Sequence, residues 1–263
     1  MQHQEMEWKT KKIPASVCII AYNEEERLEE CLSSVRAFDE IVVIVDAKTT
    51  DGTAGIAARA GAKVFIEEWK GFGPQKQSAV EKCTHDWVLS IDADESLPQG
   101  TVEEISALLK APGADAYSLP RMNFFHGRWM RCGDWWPDRQ LRLFRKDMGR
   151  FVSMVHEKWE FTGTAEKLPC PLIHKPFRNY AEMLRTMNSY STLIAEDLYA
   201  RGLRTNVFSP VLHAAAMFFK IFIAKKGFLD GFDGLVTAIY KTSNSFFKYA
   251  KLLEIQRRGG HIL

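Results

Sequence analysis

The sequence predicts an α/β fold with a mostly parallel central sheet, flanking helices and a helical C-terminal appendage. Three observations carry this prediction. Residues 16–20 (SVCII), 41–45 (IVVIV) and 63–66 (KVFI) are short, apolar and rich in β-branched side chains, as strands are. Helix-sized intervals separate them, which reads as successive βαβ units whose sheet is buried on both faces. From Tyr180 the apolar positions change to a helical period, with Met183, Leu184, Met187, Tyr190, Leu193 and Ile194.

Each element follows from local chemistry. Asn23, after the first strand, is placed to cap a helix with Glu26 three positions on, and Leu28, Cys31, Leu32 and Val35 give that helix an apolar face. Asp51-Gly52-Thr53 supplies the next turn and helix start, Ile56, Ala57 and Ala60 face inward, and Gly61 is the stop. Residues 71–74 (GFGP) read as a glycine-rich turn, followed by Gln75 and Lys76. Residues 87–91 (WVLSI) form a fourth strand, 98–109 a helix, and 116–119 a return to the sheet. In residues 139–145, strand alternation puts Arg139, Leu141, Leu143 and Arg145 on one face and Gln140, Arg142 and Phe144 on the other.

Composition narrows the class. A chain of 263 residues buries a full core and fits one α/β domain with an appendage better than two independent domains. Its 35 basic and 33 acidic side chains leave a formal charge of +2, which gives no reason to expect a nucleic-acid polymer as partner. Cys18, Cys31, Cys83, Cys132 and Cys170 are scattered without a CxxC pair, which suits a reducing compartment and argues against a zinc knuckle or disulfide scaffold. The opening MQHQEMEWKTKK has no apolar core, so a cleaved signal peptide is not expected.

Three polar strand ends carry the chemistry. Residues 22–24 (YNE), Asp46 and residues 92–94 (DAD) all fall at the carboxyl ends of parallel strands, where open α/β sheets bind ligands. No GxGxxG follows the first strand and no GxxxxGK[ST] occurs, so neither a nicotinamide fingerprint nor a P-loop is present. In extended backbone Asp92 and Asp94 point the same way. They then share a hard divalent ion, or one takes the ion while the other accepts a ligand hydroxyl. Magnesium or manganese uses such oxygen ligands and keeps part of its shell for phosphate, whose charge must be offset as a diphosphate leaves. The bland alternative is a solvated acidic turn before the helix at Pro98.

SVCIIAYNEEERLEECLSSV, IVVIVDAKTTDGT and EWKGFGPQKQSAVEKCTHDWVLSIDADE together resemble the family 2 glycosyltransferases with the GT-A fold. GDWWPDRQLRLFRK followed by VHE is similar to the bacterial lipopolysaccharide-core beta-1,4-glucosyltransferase branch. The likeness runs from Ser16 to His174, with a weaker echo in residues 225–231 (KKGFLDG). It implies a catalytic domain over residues 13–178, with a nucleotide-binding half at 13–110 and an acceptor-side half at 111–178, and a helical, membrane-associating appendage at 179–263.

The resemblance also implies roles. Ala21, Tyr22, Asn23 and Glu24 line the nucleotide pocket, Asp46 contacts the base, Asp92 the ribose or sugar phosphate, and Asp94 the Mg2+ or Mn2+ ion. Gln75 and Lys76 lie toward the sugar phosphate or acceptor. Arg142 meets a phosphate or charged acceptor, with a structural ion pair as the alternative. Relatives commonly carry Ser-Gly-Ser-Thr where this chain has Ala47-Lys48-Thr49-Thr50, so Lys48 either crowds the usual nucleotide pose or adds a cation for phosphate.

An inverting transfer needs a base beside the acceptor hydroxyl. Glu157 is the first candidate and Asp138 the second, a salt bridge to Arg139, Arg142 or Arg145 being the alternative for either. His156 completes the metal shell or packs structurally, and His174 has less motif support. Phe124, Phe125, Trp129, Trp135 and Trp136, with Arg121, Arg128 and Arg131 among them, stack on sugars or close a small core.

Residues 207–222 (VFSPVLHAAAMFFKIF) are apolar but broken by Pro210, His213 and Lys220, too short to span a bilayer and suited to an interfacial helix. Packing onto the catalytic domain, or a homo-oligomer interface, is the other use of that segment. Together these readings describe transfer of a hexose, glucose from a UDP-sugar, to a lipopolysaccharide inner-core heptose or related lipid-linked or phosphorylated envelope glycan. The place would be the bacterial cytoplasm, at the cytoplasmic face of the inner membrane. A nucleotidyltransferase is the rival enzyme class, but its first-strand turn should be glycine-rich and basic, whereas Ala21-Tyr22-Asn23-Glu24 is acidic. A noncatalytic envelope scaffold would have no need of the acidic centre.

Overall fold

The structure is a computed structural model and describes residues 12–152 and 158–259. The chain divides into two compact units, Met1–Arg121 with Arg139–His174, and Met122–Asp138 with Lys175–Leu263.

In the first unit, β1 (Ile13–Ala21), β2 (Phe38–Asp46), β3 (Lys63–Glu67) and β4 (Trp87–Ser90) run parallel in the order β3-β2-β1-β4. The continuous apolar runs are explained by two cores. Val17, Ile19, Val43, Val45 and Leu89 enter one, while their chain neighbours Cys18, Val42, Ile44 and Val88 enter the other. Alternation along a strand puts successive side chains on opposite faces, so a strand covered on both sides is apolar at every position. Helices α1 (Leu28–Ser34), α2 (Thr53–Arg59) and α4 (Gln99–Leu108) supply Leu28, Leu32, Ala57 and Ile105 to the first core, and α3 (Phe72–Glu81) supplies Ala79 and Val80 to the second. β3 departs from the two-sided expectation: it is the sheet edge, and Ile66 faces solvent.

Beyond β4 the sheet changes direction. β8 (Asp138–Arg145) pairs antiparallel with β4, Leu89 opposite Leu143. The order continues β8-β6-β12-β5, through β6 (Ala116–Phe125), β12 (Leu172–His174) and β5 (Glu95–Ser96), the last two antiparallel with His174 opposite Glu95. β6 ends in the second unit, where it pairs with β7 (Arg128–Trp129). β9 (Gly149–Val152) and β10 (Lys158–Phe161) form a separate antiparallel pair, and β11 (Ala165–Lys167) runs beside β6.

Several local expectations are corrected. Asn23 caps no helix: α1 begins only at Leu28, and Asn23 adopts φ 52° with its side chain turned to Thr50. Residues 71–74 are not a free turn, because Gly71 at φ 95° precedes α3 and Gly73-Pro74 lie in its first turn, where proline's missing N–H costs nothing. Ala60 is exposed because α2 has ended by then, although Gly61 stops the chain's helix as expected with φ 80°.

The second unit is mainly helical. α5 (Tyr180–Ala200) is capped by Asn179, which accepts from the Glu182 amide at 2.9 Å while Glu182 accepts from the Arg178 amide at 2.6 Å. α6 (Ser209–Phe218) runs into a π-helical turn (Phe219–Ala224) and a 3-10 turn (Gly227–Asp230), and α7 (Gly231–Arg257) follows. Lys251 of α7 donates to Asn188, Ser191 and Thr192 of α5 at 2.7–2.8 Å, tying the two helices together. Phe125, Met130, Trp135 and Met183 form a small core, so Phe125 and Trp135 serve packing rather than open sugar stacking. Trp129 and Trp136 meet edge to face at 5.1 Å, with Arg131 over the Trp129 ring. The echo at residues 225–231 has a structural use: Asp230 accepts from the amides of Arg131 and Cys132 at 3.1 and 2.8 Å. Among the described residues no helix is long and apolar enough to cross a membrane.

Candidate active site

The carboxyl ends of β1, β2 and β4 build one ledge. After β1, Asn23 sits in a left-handed turn and its side-chain Oδ1 accepts from the amide of Thr50 at 2.9 Å, in the loop after β2. The Glu24 amide donates to Thr53 Oγ1 at 2.8 Å, and Glu25 accepts from the Gly52 amide at 2.7 Å. The two loops are thereby zipped together. The Glu24 carboxylate is held by Arg27 at 2.8 Å, while Tyr22 projects into solvent. Asp46 is buried and accepts from the Lys48 amide at 2.8 Å, so the Ala47-Lys48-Thr49-Thr50 loop folds on a side-chain-to-backbone turn with Lys48 exposed.

After β4 the backbone does not stay extended. The Glu95 amide donates to the Asp92 carbonyl at 3.0 Å and the Asp92 amide to Glu95 Oε2 at 2.9 Å, closing a tight turn. Asp92 and Asp94 therefore have separate partners. Asp92 meets Lys76 Nζ at 2.6 Å and Arg142 Nη2 at 2.5 Å. Arg142 also bridges to Glu95 Oε1 at 2.5 Å, and Arg121 approaches the same oxygen at 3.4 Å. Lys76, Glu95 and Arg142 are only 3%, 1% and 5% exposed, which no solvated acidic turn would show. Burial acts to raise the Asp92 carboxyl, but Arg142 and Lys76 outweigh it and hold it far below the usual carboxylate range. Burial likewise opposes the Arg142 charge, and Asp92 and Glu95 overcome it, so the guanidinium is held above its ordinary value.

Asp94 turns to a different neighbour. Its Oδ2 lies 3.4 Å from Nε2 of His174, and its Oδ1 is buried with no hydrogen-bond partner among the described residues. Burial raises its carboxyl and His174 lowers it, the net direction being down. A buried carboxylate oxygen without a donor is costly unless a cation or ligand meets it. Among the described residues no group of three or more His, Cys, Asp or Glu is placed to hold a metal alone. Magnesium and manganese commonly use one or two protein ligands and complete their shell with phosphate and water, so Asp94 with His174 fits such an ion.

The structure thus brings Lys76, Asp92 and Arg142 into direct contact, sets Asp94 beside them in the same turn, and joins the Asn23 and Asp46 loops. Asp138 begins β8 in the second unit and accepts from Asn123 Nδ2 at 3.4 Å. Glu157 and His156 lie outside the described residues. The neighbouring arginines are occupied structurally: Arg139 donates to the Leu168 carbonyl at 2.9 Å, and Arg145 lies 3.8 Å from Asp115 and over the Trp87 ring. Sequence reasoning undervalued His174 and gave Glu95 no partner. The pairing that brings them in, His174 opposite Glu95, joins residues far apart in sequence, and its local trace is a polar residue ending the strand-like PLIH.

Comparison with known proteins identifies the family and the fold. A relative described as an uncharacterized glycosyltransferase of Rickettsia typhi is 30% identical over 96% of this chain and 90% of its own. The lipopolysaccharide core biosynthesis glycosyltransferase LpsC of Rhizobium meliloti is 30% identical over 92% of this chain and 93% of its own. The solved structure of the mannosyltransferase PcManGT from Pyrobaculum calidifontis, in complex with GDP-Man and Mn2+, superposes with a TM-score of 0.52 at 18% identity, covering 93% of this chain and 88% of that one. That likeness fixes the fold as GT-A. The model described as Glycosyl transferase family 2 matches residues 16–156, which span β1 through the DADE turn and beyond, and the chain belongs to that family.

Proposed function

We propose that this chain is an inverting, metal-dependent glycosyltransferase that takes a hexose, glucose in the most specific reading, from a uridine diphosphate donor. The acceptor in this reading is a lipopolysaccharide inner-core heptose or a related lipid-linked or phosphorylated envelope glycan. The observation that carries the reading is the turn after β4, where Asp92 engages two buried cations while the neighbouring Asp94, beside His174, keeps a buried oxygen without a hydrogen-bond partner among the described residues. The similarity to LpsC supports the acceptor class.

In this reading the joined loops carrying Ala21, Tyr22, Asn23, Glu24 and Asp46 receive the nucleoside. Asp92 accepts a hydroxyl of the ribose or sugar, and its two cations supply positive charge for the diphosphate. Lys76 and Arg142 are already ordered by Asp92 and Glu95, so little reorganisation is needed as negative charge develops on the leaving group. Asp94 and His174 are the residues that would hold Mg2+ or Mn2+, which would supply positive charge to offset the diphosphate. The acceptor hydroxyl loses its proton to a carboxylate as its oxygen bonds to the anomeric carbon and the bond to the diphosphate breaks. Glu157 is assigned that role, with Asp138 as the alternative.

The tail is read as a membrane-surface anchor at the cytoplasmic face. Leu212, Phe219 and Phe232 are 67%, 63% and 71% exposed, and Lys220, Lys225 and Lys226 stand among them, the combination that suits an anionic lipid interface.

Calorimetry with a panel of uridine diphosphate hexoses in the presence of manganese tests the donor assignment. The expected result is binding of one member by the native chain, abolished by chelator and reduced at least about a hundredfold in Asp94→Asn. A folded native protein that binds no member, with or without metal, overturns it.

A further inference from the structure

Glu95 directly follows the Asp92-Ala93-Asp94 triplet, and its side chain is fully buried. A carboxylate so placed does not touch a substrate. Its two oxygens instead hold different parts of the ledge. Oε1 accepts from Arg142 Nη2 at 2.5 Å, with Arg121 Nη1 at 3.4 Å, and Oε2 accepts from the Asp92 amide at 2.9 Å. The Glu95 amide in turn donates to the Asp92 carbonyl at 3.0 Å. Asp92, Glu95, Arg121 and Arg142 all belong to the first unit.

A turn closed by an i to i+3 hydrogen bond accepts most residue types at its last position, so the turn alone does not call for a buried charge. Burying a carboxylate is costly unless cations and donors meet it. The carboxylate is explained by what it holds. Arg142 Nη2, the nitrogen that meets Glu95, also meets Asp92 Oδ2 at 2.5 Å. When Asp92 accepts a ligand hydroxyl, its hold on the guanidinium weakens. Glu95, shut off from ligand, keeps its own hold and leaves Arg142 in place as the diphosphate arrives.

We propose that Glu95 is a positioning residue for donor binding, which acts by fixing the Arg142 guanidinium where the diphosphate is met. This role rests on the donor assignment above. Charge and position predict opposite signs here. Glu95→Gln removes one negative charge from beside an anion, and by Coulomb's law alone that would tighten diphosphate binding. Glutamine, however, has one oxygen where glutamate has two, and presents an NH2 group to either Arg142 or the Asp92 amide, both of them donors. Loss of position therefore weakens diphosphate binding.

Calorimetry on the full chain with manganese present compares uridine diphosphate with uridine, which shares the base and ribose and lacks phosphate. The ratio of the two affinities isolates the diphosphate contribution. Glu95→Gln should lower that ratio about tenfold, the order of one charge-assisted hydrogen bond, and leave uridine binding within about twofold. Arg142→Met should lower it at least as far, and adding Glu95→Gln to that variant should lower it no further, because Glu95 acts through the guanidinium. Glu95→Asp keeps the charge on a side chain one methylene too short for both partners. It should lower the ratio about threefold, and it carries the same test if the glutamine variant does not fold. Glu40→Gln, in the same unit but in contact with Lys63, Ser16 and Thr84, should leave the ratio unchanged. A ratio raised or unchanged by Glu95→Gln, an equal fall in uridine binding, or an additive loss in the double variant overturns the positioning role. A native chain that binds uridine diphosphate no better than uridine overturns the donor assignment itself, and this role with it, before any variant is compared.

Discussion

In the first unit Glu95 and Arg142 are charged and buried above an apolar sheet, while in the second Leu212, Phe219 and Phe232 are apolar and face solvent. Each region reverses the usual distribution, and the energetic consequence differs. Buried charge is tolerated only with partners, so the strand-end ledge is knit by Asp92, Glu95, Lys76 and Arg142 and is rigid before ligand arrives. Exposed apolar surface needs no partner within the fold and remains available to a surface outside it. The contrast teaches that buried charge orders its own surroundings, whereas exposed apolar side chains leave the proposed docking role of the second unit to be tested.

The largest effect should come from breaking the ledge. Arg142→Met leaves the Asp92 and Glu95 carboxylates buried without the guanidinium that bridges them, and urea unfolding should show a loss of about 3–5 kcal/mol. Adding Glu95→Gln should recover part of it, because the uncompensated charge and not the lost volume is the main cost. Gly234→Ala should come next, confined to the other unit. A Cβ there would sit 1.9 Å from the Gly227 carbonyl oxygen, and backbone cannot yield as a side-chain end can. The expected cost is about 1–3 kcal/mol, read as lost hydrogen-exchange protection in α6 and α7 with the parallel strands unchanged. Equal loss in both units would show that they do not differ in the way proposed. Leu212→Ser with Phe219→Ser should be nearly silent in stability, within about 0.5 kcal/mol, yet weaken partition onto vesicles about tenfold. Unchanged partition would remove the docking role.

The same contrast explains what could be read from the sequence. β1, β2 and β4 were legible because burial on both faces demands uninterrupted apolar residues, and Val17 and Cys18 enter opposite cores. Asp92 and Asp94 were legible as a strand-end pair, but their partners were not, since Lys76 arrives on a helix and His174 by a strand pairing distant in sequence. Gly71 was read as a turn because glycine permits positive φ in a loop and before a helix alike, and local sequence does not separate the two. Asn23 has the chemistry of a cap, yet its side chain is used across the sheet edge by Thr50, a contact outside any helix rule. Trp135 offered both packing and stacking, and Met130 and Met183, far apart in sequence, decide for packing.

The smallest effect separates the ledge's carboxylates from one that only supports the fold. Glu40 is buried in the first unit and accepts from Lys63 at 2.6 Å, from the Thr84 amide at 2.7 Å and from Ser16. Burial opposes its charge, but Lys63, Ser16 and Thr84 outweigh that and bring its pKa down from 4.5 to about 2. Because the folded value lies below the unfolded one, the stabilisation is present above about pH 4.5 and drains away as pH falls toward 2. Glu40→Gln should therefore lower thermal stability at neutral pH and flatten its fall across that window. Uridine diphosphate hexose binding at neutral pH should not change, since Glu40 contacts Lys63 and Ser16 and none of the residues assigned to the donor. Asp92→Asn would lower acid sensitivity in the same direction, because Arg142 and Lys76 hold its carboxyl well below the ordinary range, but it should also abolish donor binding. If Glu40→Gln lost the donor as well, the buried carboxylates of this unit would form one coupled network, and the division between a catalytic ledge and a supporting core would fail.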